Sequence, residues 1–316
     1  MGIGNRIEEP SFKNQQGNVG VGNKGRKDNT PINFVSECPK YSLNEMILSH
    51  KVREEILDVA DYAHNSKIVF ETWGLGKTHT YSKRMGINLY GPPGTGKTMA
   101  AHAIAQHLNR KILPVNYADI ESKYVGETPK NIRRAFTAAK EQNSILFFDE
   151  ADAILSRRVT NMNNATDVSV NQTRSVMLML LNEYEDFVIF ATNFIENLDP
   201  AFMRRIAKHV KFELPNEECR CALWRRYIPI EMPNNIDCGA LAKKYTGISG
   251  SDIANAILLA AFKAVRNQAV LVTQGSVEEA VEGILHSKED NEAWQGVTTK
   301  RIVSEEYAKK HMRKQE

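Results

Sequence analysis

Cysteine is scarce and scattered in this 316-residue sequence: Cys38, Cys219, Cys221 and Cys238 contain no C-x-x-C spacing and have no histidine pair nearby. A zinc site or a disulfide framework is thereby disfavoured, and the reading that remains is reduced thiols in a cytosolic protein. Long apolar runs are lacking too. The longest, such as ILLAAF at 257–262, fall far short of the roughly 20 residues needed to span a bilayer. No apolar signal core opens the chain, so the expectation is a soluble, cytoplasmic protein without a membrane partner. Nor is there an excess of one charge: 41 basic residues face 38 acidic ones, a formal net charge of +3. No global field marks the chain as a binder of nucleic acid or of a membrane surface. The three tryptophans, Trp73, Trp224 and Trp294, show no cage-like grouping and read as packing residues.

With 42% hydrophobic and 25% charged residues, the sequence is long and apolar enough for one large domain and a smaller one. Residues 1–34 are rich in Gly, Asn and Lys and hold almost no apolar periodicity, so they read as a flexible tail. From Tyr41 onward the spacing of Val52, Ile56, Leu57 and Ala60 predicts a packed helix from His50 to Asn65. Short apolar runs then alternate with amphipathic segments: INLY and a helix over 97–108, KILPVNY and a helix over 129–141, SILFFDE, FVIFATN and HVKFEL. This alternation predicts an α/β domain over 35–214, its parallel sheet covered by helices on both faces. Beyond Pro215 only helical periodicity remains, which predicts a small all-helical domain over 215–287. The charged residues 288–316 read as a helix or tail.

Between INLY and the first of these helices lies Gly91-Pro92-Pro93-Gly94-Thr95-Gly96-Lys97-Thr98, which fits G-x-x-x-x-G-K-[ST] in the required place after a strand and before a helix. Glycines let backbone N–H groups turn inward around phosphate oxygens, and the following helix adds its positive N-terminal end. Lys97 is positioned to reach the β- and γ-phosphates, and the Thr98 hydroxyl to ligate Mg2+. The run SILFFDE ends in Asp149 and Glu150. Two acids there have two tasks: Asp149 holds the metal, and Glu150 orients and deprotonates a water, which argues for hydrolysis. The next run ends in Asn193, whose amide suits either the γ-phosphate side of such a site or an ordinary turn. Arg204 and Arg205 stand together after LDPAFM, as a solvated helix end or as charges delivered to a neighbour's nucleotide.

Taken together these residues resemble the AAA+ ATPases, and within them the AAA clade in the strict sense, over about 41–287. The resemblance maps Walker A onto 91–98, Walker B onto Ile145–Glu150, the sensor asparagine onto Asn193 and the arginine-finger pair onto Arg204 and Arg205. It places Gly250 and Ser251, in TGISGSDIANAILLAA, beside the adenosine. It implies ATP and Mg2+ as ligands, a large ATPase domain over 35–214, a helical lid over 215–287, and a homo-oligomeric ring, commonly a hexamer, with nucleotide between subunits.

The same resemblance makes Tyr124 and Val125, in ESKYVGET, a pore loop that grips an extended polypeptide. The bland alternative is a core tyrosine where a helix begins. A second channel loop falls at 157–170. The function implied is ATP-driven protein remodelling or unfolding by threading. A narrower likeness, carried by KYVGET, VNQTRSVMLMLLNEYE and AFMRRI, is to compact bacterial relatives of the HORMA-domain remodelling ATPases, which implies a HORMA-domain client in antiphage defence. The alternative is an AAA+ ATPase acting on nucleic acid or loading another protein onto it. Its only support is the basic clusters NKGRK and KKHMRK, both explained as solvated tails.

Overall fold

The computed structural model describes residues 32–78, 85–121, 127–156, 165–193 and 198–296. The chain divides into two units, Met1–Asn33 and Phe34–Glu316. The second holds every element that follows. Tyr124 and Val125, and most of the second channel loop, lie outside the described residues.

Five parallel strands make one sheet in the order β2-β3-β4-β1-β5. They are β1 (Met85–Tyr90), β2 (Lys111–Asn116), β3 (Ser144–Asp149), β4 (Phe187–Thr192) and β5 (Ile206–Lys211). All of β4 and all of β3 but its last residue are buried. Runs such as ILFF and FVIFA suit strands buried on both faces, which is why they read as continuous apolar stretches and not as alternations. Pairing in register aligns Phe148 with Phe190, and their rings stack with centroids 5.5 Å apart.

One face is covered by α1 (His50–Lys67) and α2 (Lys97–His107), whose Ile56 and Ile104 meet Ile87, Leu89 and Val210. The α1 helix runs on into a π-helical turn, Ile68–Thr72, and Trp73 just beyond it is 70% exposed. That corrects its reading as a packing residue. The other face is covered by α4 (Glu127–Glu141) and α6 (Ala165–Glu183) through Ile132, Phe136, Met177 and Leu181. Short helices α3 (Tyr117–Ile120), α5 (Asp152–Leu155) and α7 (Pro200–Met203) punctuate the connections.

After β5 the described chain is helical: α8 (Glu217–Tyr227), α9 (Cys238–Lys244), α10 (Gly250–Arg266) and α11 (Gln274–Gly296). Their own core gathers Trp224, Leu241, Ile253, Ile257, Val277 and Val281. The α11 helix is continuous across 287, so the boundary expected there does not fall at a break. Lys288 explains why: its ammonium lies 2.5 Å from Asp252 Oδ2 on α10 and ties the charged end back to the bundle. Burial pushes the Asp252 carboxyl up, but the hydrogen bonds from Lys288 and Ser249 outweigh it and leave the group below its ordinary value.

The order of strands brings the carboxyl ends of β3, β4 and β1 side by side, and ligands of open α/β sheets bind along such an edge. Gly91, which leaves β1 there, has φ 142°, and a Cβ added to it would stand 2.0 Å from the Phe212 carbonyl oxygen. Gly91→Ala is therefore expected to cost about 1–3 kcal/mol of stability from backbone strain. Urea unfolding measures this, and an unchanged midpoint would show that the loop relaxes freely.

Candidate nucleotide site

Residues 91–96 turn from β1 into α2 through three positive-φ glycines, Gly91, Gly94 and Gly96. Thr95 Oγ1 donates to the Pro92 carbonyl at 2.8 Å and stiffens the turn. Lys97, only 8% exposed, donates through Nζ to the carbonyl oxygens of Gly91 and Pro92 and to Asn193 Oδ1, at 2.8, 2.9 and 3.0 Å. Burial pushes its ammonium below the ordinary lysine value, with Asp149 and Asp152 pulling the other way. A buried cation held by neutral oxygens is poised to gain from an arriving anion.

Asp149 closes β3 beside this loop. Its Oδ2 accepts from Thr98 Oγ1 at 2.9 Å, and its Oδ1 accepts from the Glu150 N–H at 3.0 Å. A hydroxyl and a carboxylate on adjacent elements form a hard-oxygen pair of the kind that suits Mg2+ with waters retained. Glu150 itself is exposed and has φ 51°, a left-handed conformation that costs a non-glycine residue energy and clusters at functional sites. The turn is fixed by its neighbour, because the Ala151 N–H donates to the Ala191 carbonyl of β4 at 2.9 Å. Asn193 follows β4, and both oxygens of Asp152 accept from its backbone N–H at 3.1 and 3.2 Å.

A cavity of about 510 Å³ joins these groups, within the range that takes a drug-sized ligand. Its polar lining includes Lys97, Thr98, Asp149, Glu150 and Asn193. Its lining also includes the apolar or partly apolar Met46, Ile47, Leu48, Cys219, Leu223 and Tyr227. Gly250 and Ser251 line it too: the Ser251 N–H donates to the Gly94 carbonyl at 3.3 Å, and a Cβ on Gly94 would stand 2.6 Å from Ser249 Oγ. Arg226 Nη1 donates to the Glu45 carbonyl at 2.8 Å, a second link from the helical region to the sheet domain.

The structure thus brings together residues 93–98, Asp149, Glu150, Asn193, Gly250 and Ser251 around one cavity, with the carbonyls of Gly91 and Pro92 bonded to Lys97. Arg204 and Arg205 do not line it. Sequence reasoning passed over Asp152, although an acid opening the helix after β3 was visible. It also passed over the apolar lining, whose residues near 46–48 and 219–227 lie some 170 residues apart and share no motif.

Fold and site define an ATPase domain of the P-loop class with the AAA+ α/β architecture, a parallel five-stranded sheet and a helical region after it. Residues 87–214 match the family described as "ATPase family associated with various cellular activities (AAA)". The chain is similar to the 26S proteasome regulatory subunit 8 homolog of Schizosaccharomyces pombe, at 35% identity over 76% of this chain and 60% of that protein. It is similar to the subunit of the same name in Saccharomyces cerevisiae, at 33% over 75% and 59%. The proteasome-activating nucleotidase of Methanopyrus kandleri matches at 32% over 81% and 59%. The chain therefore spans about three fifths of the length of these relatives. Among the described residues no helix is long and apolar enough to cross a membrane.

Proposed function

We propose that this chain hydrolyses ATP within a homo-oligomeric ring, commonly six subunits in its class, and uses the energy to unfold or remodel a protein. The observation that carries this reading is the convergence of Lys97, Thr98, Asp149, Glu150 and Asn193 at the carboxyl ends of three adjacent strands, in a cavity that the helical region also lines.

In that reading residues 91–98 wrap the phosphates, and Lys97 exchanges its carbonyl partners for phosphate oxygens. Thr98 and Asp149 hold Mg2+, which when bound neutralises charge on the β- and γ-phosphates. Glu150 takes the proton of an attacking water, and Asn193, freed from Lys97, orients the γ-phosphate. The contacts of Ser251 with Gly94 and of Arg226 with Glu45 make the angle of the helical region sensitive to what fills the cavity. Residues 35–214 then act as the ATPase domain, 215–287 as its lid, and 1–34 as a tail. Arg204 and Arg205, absent from their own cavity, serve the next subunit's site.

A polypeptide client is supported by relatives whose names tie a nucleotidase and regulatory subunits to a proteasome. Tyr124 and Val125 are proposed as its grip. The narrower expectation of a HORMA-domain client in antiphage defence finds no counterpart among those names, and the client is defined only as a protein.

The test pairs two variants. Glu150→Gln with ATP should retain folded client proteins in a capture from the native host. Tyr124→Ala is expected to hydrolyse ATP at close to the unaltered rate but to leave the captured client folded. Undiminished remodelling by Tyr124→Ala would rule out threading, and retention of nucleic acid in place of protein would move the reading to a loader.

A further inference from the structure

The two arginines that end α7 are held differently. Arg204 is exposed, and among the described residues its guanidinium has no hydrogen-bond or ion-pair partner. Arg205 is half-buried, and its guanidinium is pinned: Nε donates to Asn182 Oδ1 at 2.9 Å and Nη1 to the Ala201 carbonyl at 2.8 Å. Asn182 belongs to α6, the long helix packed on the sheet beside Phe148 and Phe190.

The opposite end of α7 is also gripped by α6. Arg174, 1% exposed, donates through Nη2 to Asp199 Oδ2 at 2.6 Å, and Asp199 caps α7 by accepting from the Ala201 N–H at 2.7 Å. Four residues of helix cannot hold themselves in place, because so short a segment scarcely repays its nucleation. The position of Arg204 is therefore set by what anchors α7: the buried Phe202, the Arg174–Asp199 pair and the Asn182–Arg205 bond.

We propose that Asn182 is a positioning residue for the nucleotide site of the adjacent subunit, acting by holding the Arg205 guanidinium so that Arg204 is presented at the subunit surface. The inference rests on the reading that these arginines complete a neighbour's site. An arginine side chain left free must be ordered at the moment of reaction, whereas a neighbour fixed beforehand lowers that cost.

Asn182→Ala should lower kcat roughly tenfold, the worth of one hydrogen bond to a charged group, with KM for ATP unchanged. Asn182→Asp keeps an acceptor oxygen and should restore the rate. The decisive measurement mixes variants at equal concentration, with co-assembly verified by pulling down a tag carried by one of them. Asn182→Ala has an intact loop and a misplaced finger; Lys97→Ala has the reverse. Together they should regain hydrolysis at about one quarter of interfaces if subunits mix at random around a ring. Arg204→Ala mixed with Lys97→Ala is the control.

Recovery in the control but not with Asn182→Ala would mean that Asn182 serves its own subunit, and the inference is then wrong. A wild-type kcat for Asn182→Ala alone would equally overturn it. No recovery in either mixture, despite co-assembly, would overturn the neighbour-site reading and this inference with it.

Discussion

Replacing Glu150 with glutamine is expected to leave ATP bound and slow its hydrolysis by about 10²- to 10⁴-fold, the usual contribution of a positioned general base. The expectation follows from what Glu150 touches and what it does not. Its backbone N–H is bonded to Asp149 Oδ1, and its strained φ of 51° is held by the Ala151–Ala191 contact. Lys97 and Thr98, proposed to hold the phosphates and Mg2+, have no bond to its side chain in the described structure. Glutamine has the same size and tolerates the same turn, so affinity should persist while proton acceptance is lost. Single-turnover hydrolysis and nucleotide binding by fluorescence separate the two. If binding falls in step with turnover, Glu150 is holding the loop together and is not the group that activates water.

That strain at Glu150 marks where the sequence stopped being legible. The loop of residues 91–98 could be read because its requirements are local: glycines where φ is positive, a lysine and a hydroxyl as the first two residues of α2. The apolar runs of β3 and β4 were equally plain, since strands buried on both faces have no polar positions to disguise them. What failed depends on partners distant in the chain. Nothing near Asn182 announces that it meets Arg205, which lies 23 residues away on another element. Nothing near Met46 says that it lines the same cavity as Leu223. Nothing in the charge past 287 says that Lys288 pairs with Asp252, 36 residues earlier on α10. Trp73 misled for the opposite reason: a large apolar side chain is normally buried, and this one is exposed beyond a π-helical turn.

Arg204→Ala should reduce hydrolysis about 10³-fold or more, the scale on which an arginine supplied to a phosphoryl-transfer site acts. The side chain is exposed, has no partner among the described residues, and lies outside the cavity that Lys97 and Asp149 share. ATP affinity at low protein concentration should therefore be unchanged, because a lone subunit binds without it. Specific activity of the unaltered chain should rise with protein concentration as subunits assemble, whereas Arg204→Ala should stay low throughout. Lysine at this position should not restore the rate, since a point charge lacks the planar fork that matches phosphate oxygens. Were Arg204→Ala to lose activity only by weakening assembly, saturating protein would rescue it. A deficit that survives saturation places the guanidinium at the reacting phosphate of a neighbour.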